Sequence, residues 1–78
     1  MNLSELVRRR RDSLGLSMKD VATNSGGLVK TATVCDVEIG KSKNVTASTI
    51  LGLAKALKTK PDVILEATRI SLEEGAQA

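Results

Sequence analysis

An all-α domain of five short helices is the fold class the sequence predicts, and three observations predict it. The 78 residues contain no Phe, Tyr or Trp. A core must therefore be built from Leu, Ile, Val, Ala and Met, an inventory that suits helices with aliphatic stripes better than a β-sandwich. Capping residues stand before apolar-periodic stretches at Asn2, Ser17 and Thr46, the usual signal of a helix start. Glycine follows such stretches at Gly15 and Gly40, where a left-handed residue ends a helix. This length allows one compact domain with a small core. Its expected span is residues 1–74, with 75–78 as a disordered tail.

Each element has its own justification. Asn2 caps the first helix, with Glu5 three residues on as its capping-box partner. Leu3, Leu6, Val7 and Leu14 share a face, and Arg8–Arg11 wrap the other sides, exposed to solvent or phosphate. Ser17 caps the second helix with Asp20 as partner, and Val21 and Ala22 face the core. Thr23–Gly27 is turn chemistry, since Asn and Gly tolerate positive φ. Leu28 and Val29 lead back into the core, and a third helix runs from Lys30 or Thr31 to Ile39. Its β-branched residues (Thr31, Thr33, Val34, Val37) make a strand the local alternative. The i, i+3 spacing of Val34 and Val37 and the stop at Gly40 favour the helix. After a polar connector, Thr46 caps a fourth helix whose core face is Ile50, Leu51, Leu53, Ala54 and Leu57. Lys58–Lys60 is a break, and Pro61 suits a first helical turn. Val63, Ile64, Ala67 and Ile70 line a fifth helix, which should fray by Gly75.

Ser17–Lys41 thus reads as a helix-turn-helix, whose first helix braces a second that reads base edges in the major groove of DNA. Charge is distributed accordingly. Residues 1–60 hold eleven Lys/Arg against five Asp/Glu, a net +6, while residues 61–78 hold one against four, a net −3. A basic body with an acidic tail suits a polyanion on the body alone; the plainer reading is a solvated surface. Missing aromatics argue against single-strand binding by base stacking. No apolar run nears the roughly 18 residues of a membrane span. Arg8–Arg11 interrupts any signal-peptide pattern. A lone Cys35 makes no internal disulfide, so a cytoplasmic, nucleoid-associated setting is expected. No enzyme is expected. There is no His, and one Cys cannot build a cysteine-rich zinc site. Gly40-Lys41-Ser42 resembles the end of a P-loop, but that motif needs glycine where Cys35 stands and a strand before it. Neither a cofactor, a metal nor a small-molecule ligand is expected.

The ordered set Arg11, Leu16-Ser17, Val21-Ala22, Val37-Glu38-Ile39-Gly40-Lys41, Ile50 and Leu53-Ala54-Lys55-Ala56-Leu57 resembles the lambda-repressor-like (Cro/repressor, xenobiotic-response-element) DNA-binding family over about residues 3 to 66. The resemblance implies a five-helix domain that binds double-stranded operator DNA as a homodimer. Counted back from Glu38, the family's base-reading positions fall on Thr31, Ala32 and Asp36, with Lys30 at the cap, Thr33 beside them and Cys35 on the outward side. Phosphate contacts are expected at Lys41 and Lys43, just after the recognition helix, and at Ser17, Lys19 and Asn44. The family's structural ion pair falls on Arg11 and Glu38. The apolar stripe of the fifth helix is read either as packing within the domain or as extending into a dimer contact at Ala67 and Ile70, since so small a domain gains from oligomerisation.

Two departures stand out. The turn after Ala22 is about two residues longer than the common pattern, and Met18 replaces a Gln that often bonds phosphate. The base readers are short, and no Arg or Gln offers a bidentate contact to guanine or adenine. DNA shape and Lys30 then carry more of the readout. The expected role is a transcriptional regulator of phage, prophage or plasmid type, a repressor controlled by its abundance or by a partner. The alternative is an antitoxin-like or adaptor protein of the same fold that acts through protein partners.

Overall fold

The computed structural model describes residues 1–42 and 45–77, with side chains to residue 74. It contains α1 (Leu3–Ser13), α2 (Met18–Asn24), α3 (Thr31–Glu38), α4 (Ala47–Ala56) and α5 (Pro61–Gln77). Among the described residues there is no strand. The fifth helix runs past Gly75 to Gln77, through three of the four residues expected as tail; Ala78 lies outside the described residues.

Capping sets the starts. The side chains of Asn2, Ser17 and Thr46 each accept a backbone N–H three residues on, at Glu5, Asp20 and Thr49. Helices this short gain little from propensity alone, so satisfied end groups and buried faces must hold them. The ends of α1, α3 and α4 share one device. In each, the residue after the cap has positive φ (Gly15 +68°, Gly40 +81°, Lys58 +54°). The next N–H reaches back to the carbonyl five residues earlier: Leu16 to Arg11, Lys41 to Asp36, Thr59 to Ala54. This is the Schellman arrangement, and Lys58 adopts it without being glycine.

The core is Leu3, Val7, Val21, Val29, Val34, Val37, Leu53, Leu57 and Ile64, with Ala54, Ala56 and Ala67 filling in. Helix α1 packs on α3 and α5, α2 on α3 and α4, and α4 on α5. Gly52 marks the tightest approach. A Cβ there would lie 2.6 Å from Val29 Cγ2 and 2.9 Å from Leu28 Cβ, so α4 presses directly on the turn before α3.

Three side-chain assignments from the sequence need correction. Leu28 is exposed although Val29 beside it is buried. Leu51 is 52% exposed, because the face of α4 that meets its neighbours is Thr49, Gly52, Leu53 and Ala56. Val63 is also exposed: the buried stripe of α5 is Ile64, Ala67, Thr68 and Ser71, at the i, i+3, i+4, i+7 spacing of one helix face. Two members of that stripe are polar and accounted for. Thr68 Oγ1 donates to the Ile64 carbonyl at 2.8 Å. Ser71 Oγ accepts the Leu3 N–H at 2.9 Å, a donor that α1 cannot satisfy within itself. Asn2 Nδ2 adds a bond to Glu74 Oε1 at 3.0 Å.

Left-handed backbone costs about 1–2 kcal/mol for a residue with a Cβ, and the Lys58 side chain is exposed. Lys58→Gly should therefore stabilise the domain by about 1 kcal/mol, raising Tm by roughly 4–8 °C. Thermal melting followed by circular dichroism checks this; an unchanged or lower Tm would contradict it.

Candidate nucleic-acid interface

Helix α2 begins with a complete capping box. Ser17 Oγ accepts the Asp20 N–H at 3.0 Å, and the Ser17 N–H donates to Asp20 Oδ2 at 3.0 Å. The backbone bond from Ser17, then the hydroxyl bond, hold the Asp20 carboxyl below its ordinary value. What the carboxylate adds to the box is thus present above the usual aspartate range and is lost as pH falls through the lowered value, while the bond from the Asp20 N–H to Ser17 Oγ does not titrate. The turn that follows is organised by Ser25, which is fully buried. Its Oγ donates to the Ala22 carbonyl at 2.6 Å and accepts the Val29 N–H at 3.1 Å. Gly26 and Gly27, at φ +72° and +86°, carry the chain around it.

Helix α3 is two-sided. Val34, Val37 and Glu38 are buried. Ala32, Asp36 and Ile39 recur on the opposite side, with Ala32 exposed, Asp36 half-buried and Ile39 65% exposed. Thr33 and Cys35 are half-buried on the flanks, and Cys35 is a free thiol. Thr31 is exposed in the first turn, and Lys30 is an exposed, extended N-cap without a side-chain capping bond. The residues expected to read bases therefore lie on or beside the outer surface of one helix. Ile39, to which the sequence reading assigned no role, extends that surface by one turn.

The far end of α3 is gripped by α1. Arg11 Nε and Nη2 meet Glu38 Oε2 and Oε1 at 2.8 and 3.0 Å. The side chains of Arg11 and Glu38 are 18% and 4% exposed. Its bonding to Glu38 is the main reason the Arg11 guanidinium holds its proton even more firmly than usual. Arg11 Nη1 also donates to the Leu16 carbonyl at 3.0 Å, tying the link into α2. Ser4 Oγ and Arg8 Nη2 both donate to the main-chain carbonyl of Glu38, the latter at 3.1 Å. Arg10 Nη2 donates to the Leu57 and Lys58 carbonyls at 2.9 and 3.2 Å, closing the end of α4. Arg8 and Arg10 thus bond helix ends inside the domain, a use the sequence reading of a solvated or phosphate-facing run missed. Helical spacing puts Ser4, Arg8 and Arg11 on one face, but what they reach is decided by packing.

The remaining expected residues are spread over the surface. Ser17, Lys19 and Lys41 are exposed; Lys43 and Asn44 lie outside the described residues. Ile70 is half-buried and Ala67 only 3% exposed. Both line a groove of about 350 Å³ between α1 and α5, together with Leu6, Val63, Asp62 and Glu66. Among the described residues no cluster of three or more His, Cys, Asp or Glu is placed to hold a metal. No described helix is long and apolar enough to cross a membrane.

A family model described as helix-turn-helix matches residues 7–64, from within α1 to the first turn of α5. The chain belongs to the lambda-repressor-like helix-turn-helix family. This family comprises DNA-binding regulators rather than enzymes, and its all-α fold agrees with the five helices described above. Comparison with curated proteins and with solved structures returned no match. In this helix-turn-helix domain the match spans α2, the turn and α3 whole, together with the Arg11–Glu38 pair that joins α3 to α1.

Removing one partner of that pair leaves the other charge partly buried and unsatisfied. Glu38→Ala should cost about 2–4 kcal/mol, a large part of the roughly 5 kcal/mol a domain this small holds. In a double-mutant cycle, Arg11→Met and Glu38→Gln should show a clear coupling energy in urea unfolding. A coupling near zero would mean that the two side chains act independently.

Proposed function

We propose that this regulator is a repressor of phage, prophage or plasmid type. It binds a pseudo-palindromic operator as a homodimer, with α3 in the major groove, and acts in the cytoplasm at the nucleoid. The two-sidedness of α3 carries the reading. One face is locked into the core and the C-terminal end is clamped, while Ala32, Asp36 and the N-terminal Lys30 and Thr31 stay accessible. In this reading the Thr31 hydroxyl and the Ala32 methyl approach base edges or a thymine methyl, and Asp36 accepts from a cytosine amino group. Thr33 and Cys35 border the contact. Ser17, Lys19 and Lys41, with Lys43 and Asn44, hold phosphates and set the register. Because these readers are short, much of the preference comes from groove shape and deformability.

Binding to duplex DNA should weaken steeply with salt, by roughly 0.9 log units of affinity per log unit of salt for each phosphate neutralised. Lys41→Ala should lower affinity for operator and unrelated duplex alike and reduce that slope by about one. Thr31→Ala or Asp36→Ala should instead change which operator variants win, at about 1–3 kcal/mol per lost base contact. Fluorescence-anisotropy titrations at several salt concentrations, with selection from random duplexes, measure both effects. A flat salt response would remove the DNA reading, and an unchanged selected site would remove the roles of Thr31 and Asp36.

The groove between α1 and α5 supports pairing of two copies. Ile70 lies half-buried on it and Val63 is exposed beside it, so a second copy covering both would hide apolar surface that a single domain leaves wet. In this reading two-fold pairing sets half-sites about one helical turn apart, so the operator is pseudo-palindromic. Ile70→Asp should keep the helical spectrum and impair self-association in sedimentation velocity. An unchanged association state would move the dimer contact elsewhere.

A further inference from the structure

The C-terminal end of α3 is satisfied in an uneven way. Backbone N–H groups take three of its last four carbonyls: Ile39 bonds Cys35, Lys41 and Ser42 bond Asp36, and Gly40 bonds Val37. The fourth, on Glu38, receives no backbone donor among the described residues and takes two from α1, Ser4 Oγ and Arg8 Nη2. The Glu38 carboxylate receives two more from Arg11. One residue of α3 is therefore held by its main chain and its side chain at once, from three positions spaced i, i+4, i+7 on one face of α1. At the other end, Lys30 makes no side-chain cap. The Arg8 guanidinium also places a positive charge at a helix C-terminus, where the peptide dipoles favour one.

We propose that Ser4 and Arg8 are positioning residues for sequence recognition: through the Glu38 carbonyl they fix the tilt of α3 relative to α1. This rests on the reading that α3 enters the groove. Eight residues make a helix about 12 Å long. A pivot of about 10° at Glu38 would move the first turn, with Thr31 and Ala32, by about 2 Å, more than a base contact tolerates. The ion pair alone leaves such a pivot open, because a carboxylate can turn about its own side-chain bonds while the main chain tilts. Val34 and Val37 in the core limit the tilt from one side, and the bonds to the carbonyl restrain the end of the helix itself. Arg8 and Ser4 therefore act on which sequence is bound rather than on how strongly DNA as such is attracted.

The test separates this role from phosphate binding and from plain stability. Ser4→Ala, Arg8→Ala, the double variant and Arg8→Lys are compared with wild type on a selected operator and an unrelated duplex, at several salt concentrations. The temperature is kept low enough for each chain to show the full helical signal. The double variant should lose about tenfold for the operator, the scale of one misplaced base contact. Its affinity for unrelated duplex and its salt slope should stay as in wild type, and Arg8→Lys should recover part of the loss. Residual dipolar couplings of the free protein give a readout without DNA: the α3 amides should report a broadened orientation relative to α1 in the double variant. Equal losses on both duplexes with a slope lower by about one would make Arg8 a phosphate ligand and overturn the proposal. An unchanged operator preference, or unchanged couplings, would overturn it as well. A wild-type chain without preference for any duplex would fail the groove reading itself, and this proposal with it.

Discussion

Glu38 sets the condition that the rest of the domain has to meet. Its carboxylate is hidden on the same face of α3 as Val34 and Val37, where an unpaired negative charge would cost several kcal/mol. Only a rigid fork of donors meets both oxygens at once, and Arg11 supplies it. The engaged fork admits a narrow range of distances between α1 and α3. Because the same guanidinium also reaches the Leu16 carbonyl, the link into α2 is drawn into that range too. An apolar pair in these positions would allow sliding, whereas the charged pair penalises any arrangement that leaves either group unpaired.

Helix α1 consequently works as a hub rather than as a charged outer face. Arg8, Arg10 and Arg11 each bond a helix end or a buried carboxylate. The net charge of residues 1–60 is unaffected, since Arg11 and Glu38 cancel within it and carbonyls are neutral, but the guanidinium groups of Arg8, Arg10 and Arg11 are less free to reach a phosphate. The exposed Lys19, Lys30 and Lys41 are better placed to supply an attractive field. Without aromatic rings the core also contributes little directional preference, so polar contacts at helix ends carry much of the specificity of packing.

Local chemistry was readable where it is decided locally. Asn2, Ser17 and Thr46 cap the helices they precede, and Gly15 and Gly40 end α1 and α3. Each of those outcomes depends on a few neighbouring residues. Lys58 gave no such signal, because a lysine enters the left-handed region only when the following helix and the Arg10 bond hold it there. Periodicity puts Leu51 and Val63 in the core, yet both are exposed, as is Leu28 in the turn before α3. A short helix with apolar residues on adjacent positions offers two possible faces, and the partner element chooses between them. In α5 the chosen stripe includes Thr68 and Ser71, which no hydrophobicity pattern selects. The Arg11–Glu38 positions could be named from a family resemblance, whereas the second grip on Glu38 through Ser4 and Arg8 was invisible without coordinates.

The bonds from the Leu3 N–H to Ser71 and from Asn2 to Glu74 join residues 68 and 72 positions apart. During synthesis the first helix leaves the ribosome long before its partner exists, with exposed N–H groups and an uncovered apolar face. Nucleation cannot then spread simply from the first residue onward. The middle helices, linked by short connections, can pack early and offer α1 its Glu38 and Leu57 partners, while the first turn of α1 is tied down only when α5 arrives. The final position of α1, and with it the grip on the end of α3, therefore depends on contacts between distant parts of the chain rather than on neighbouring residues.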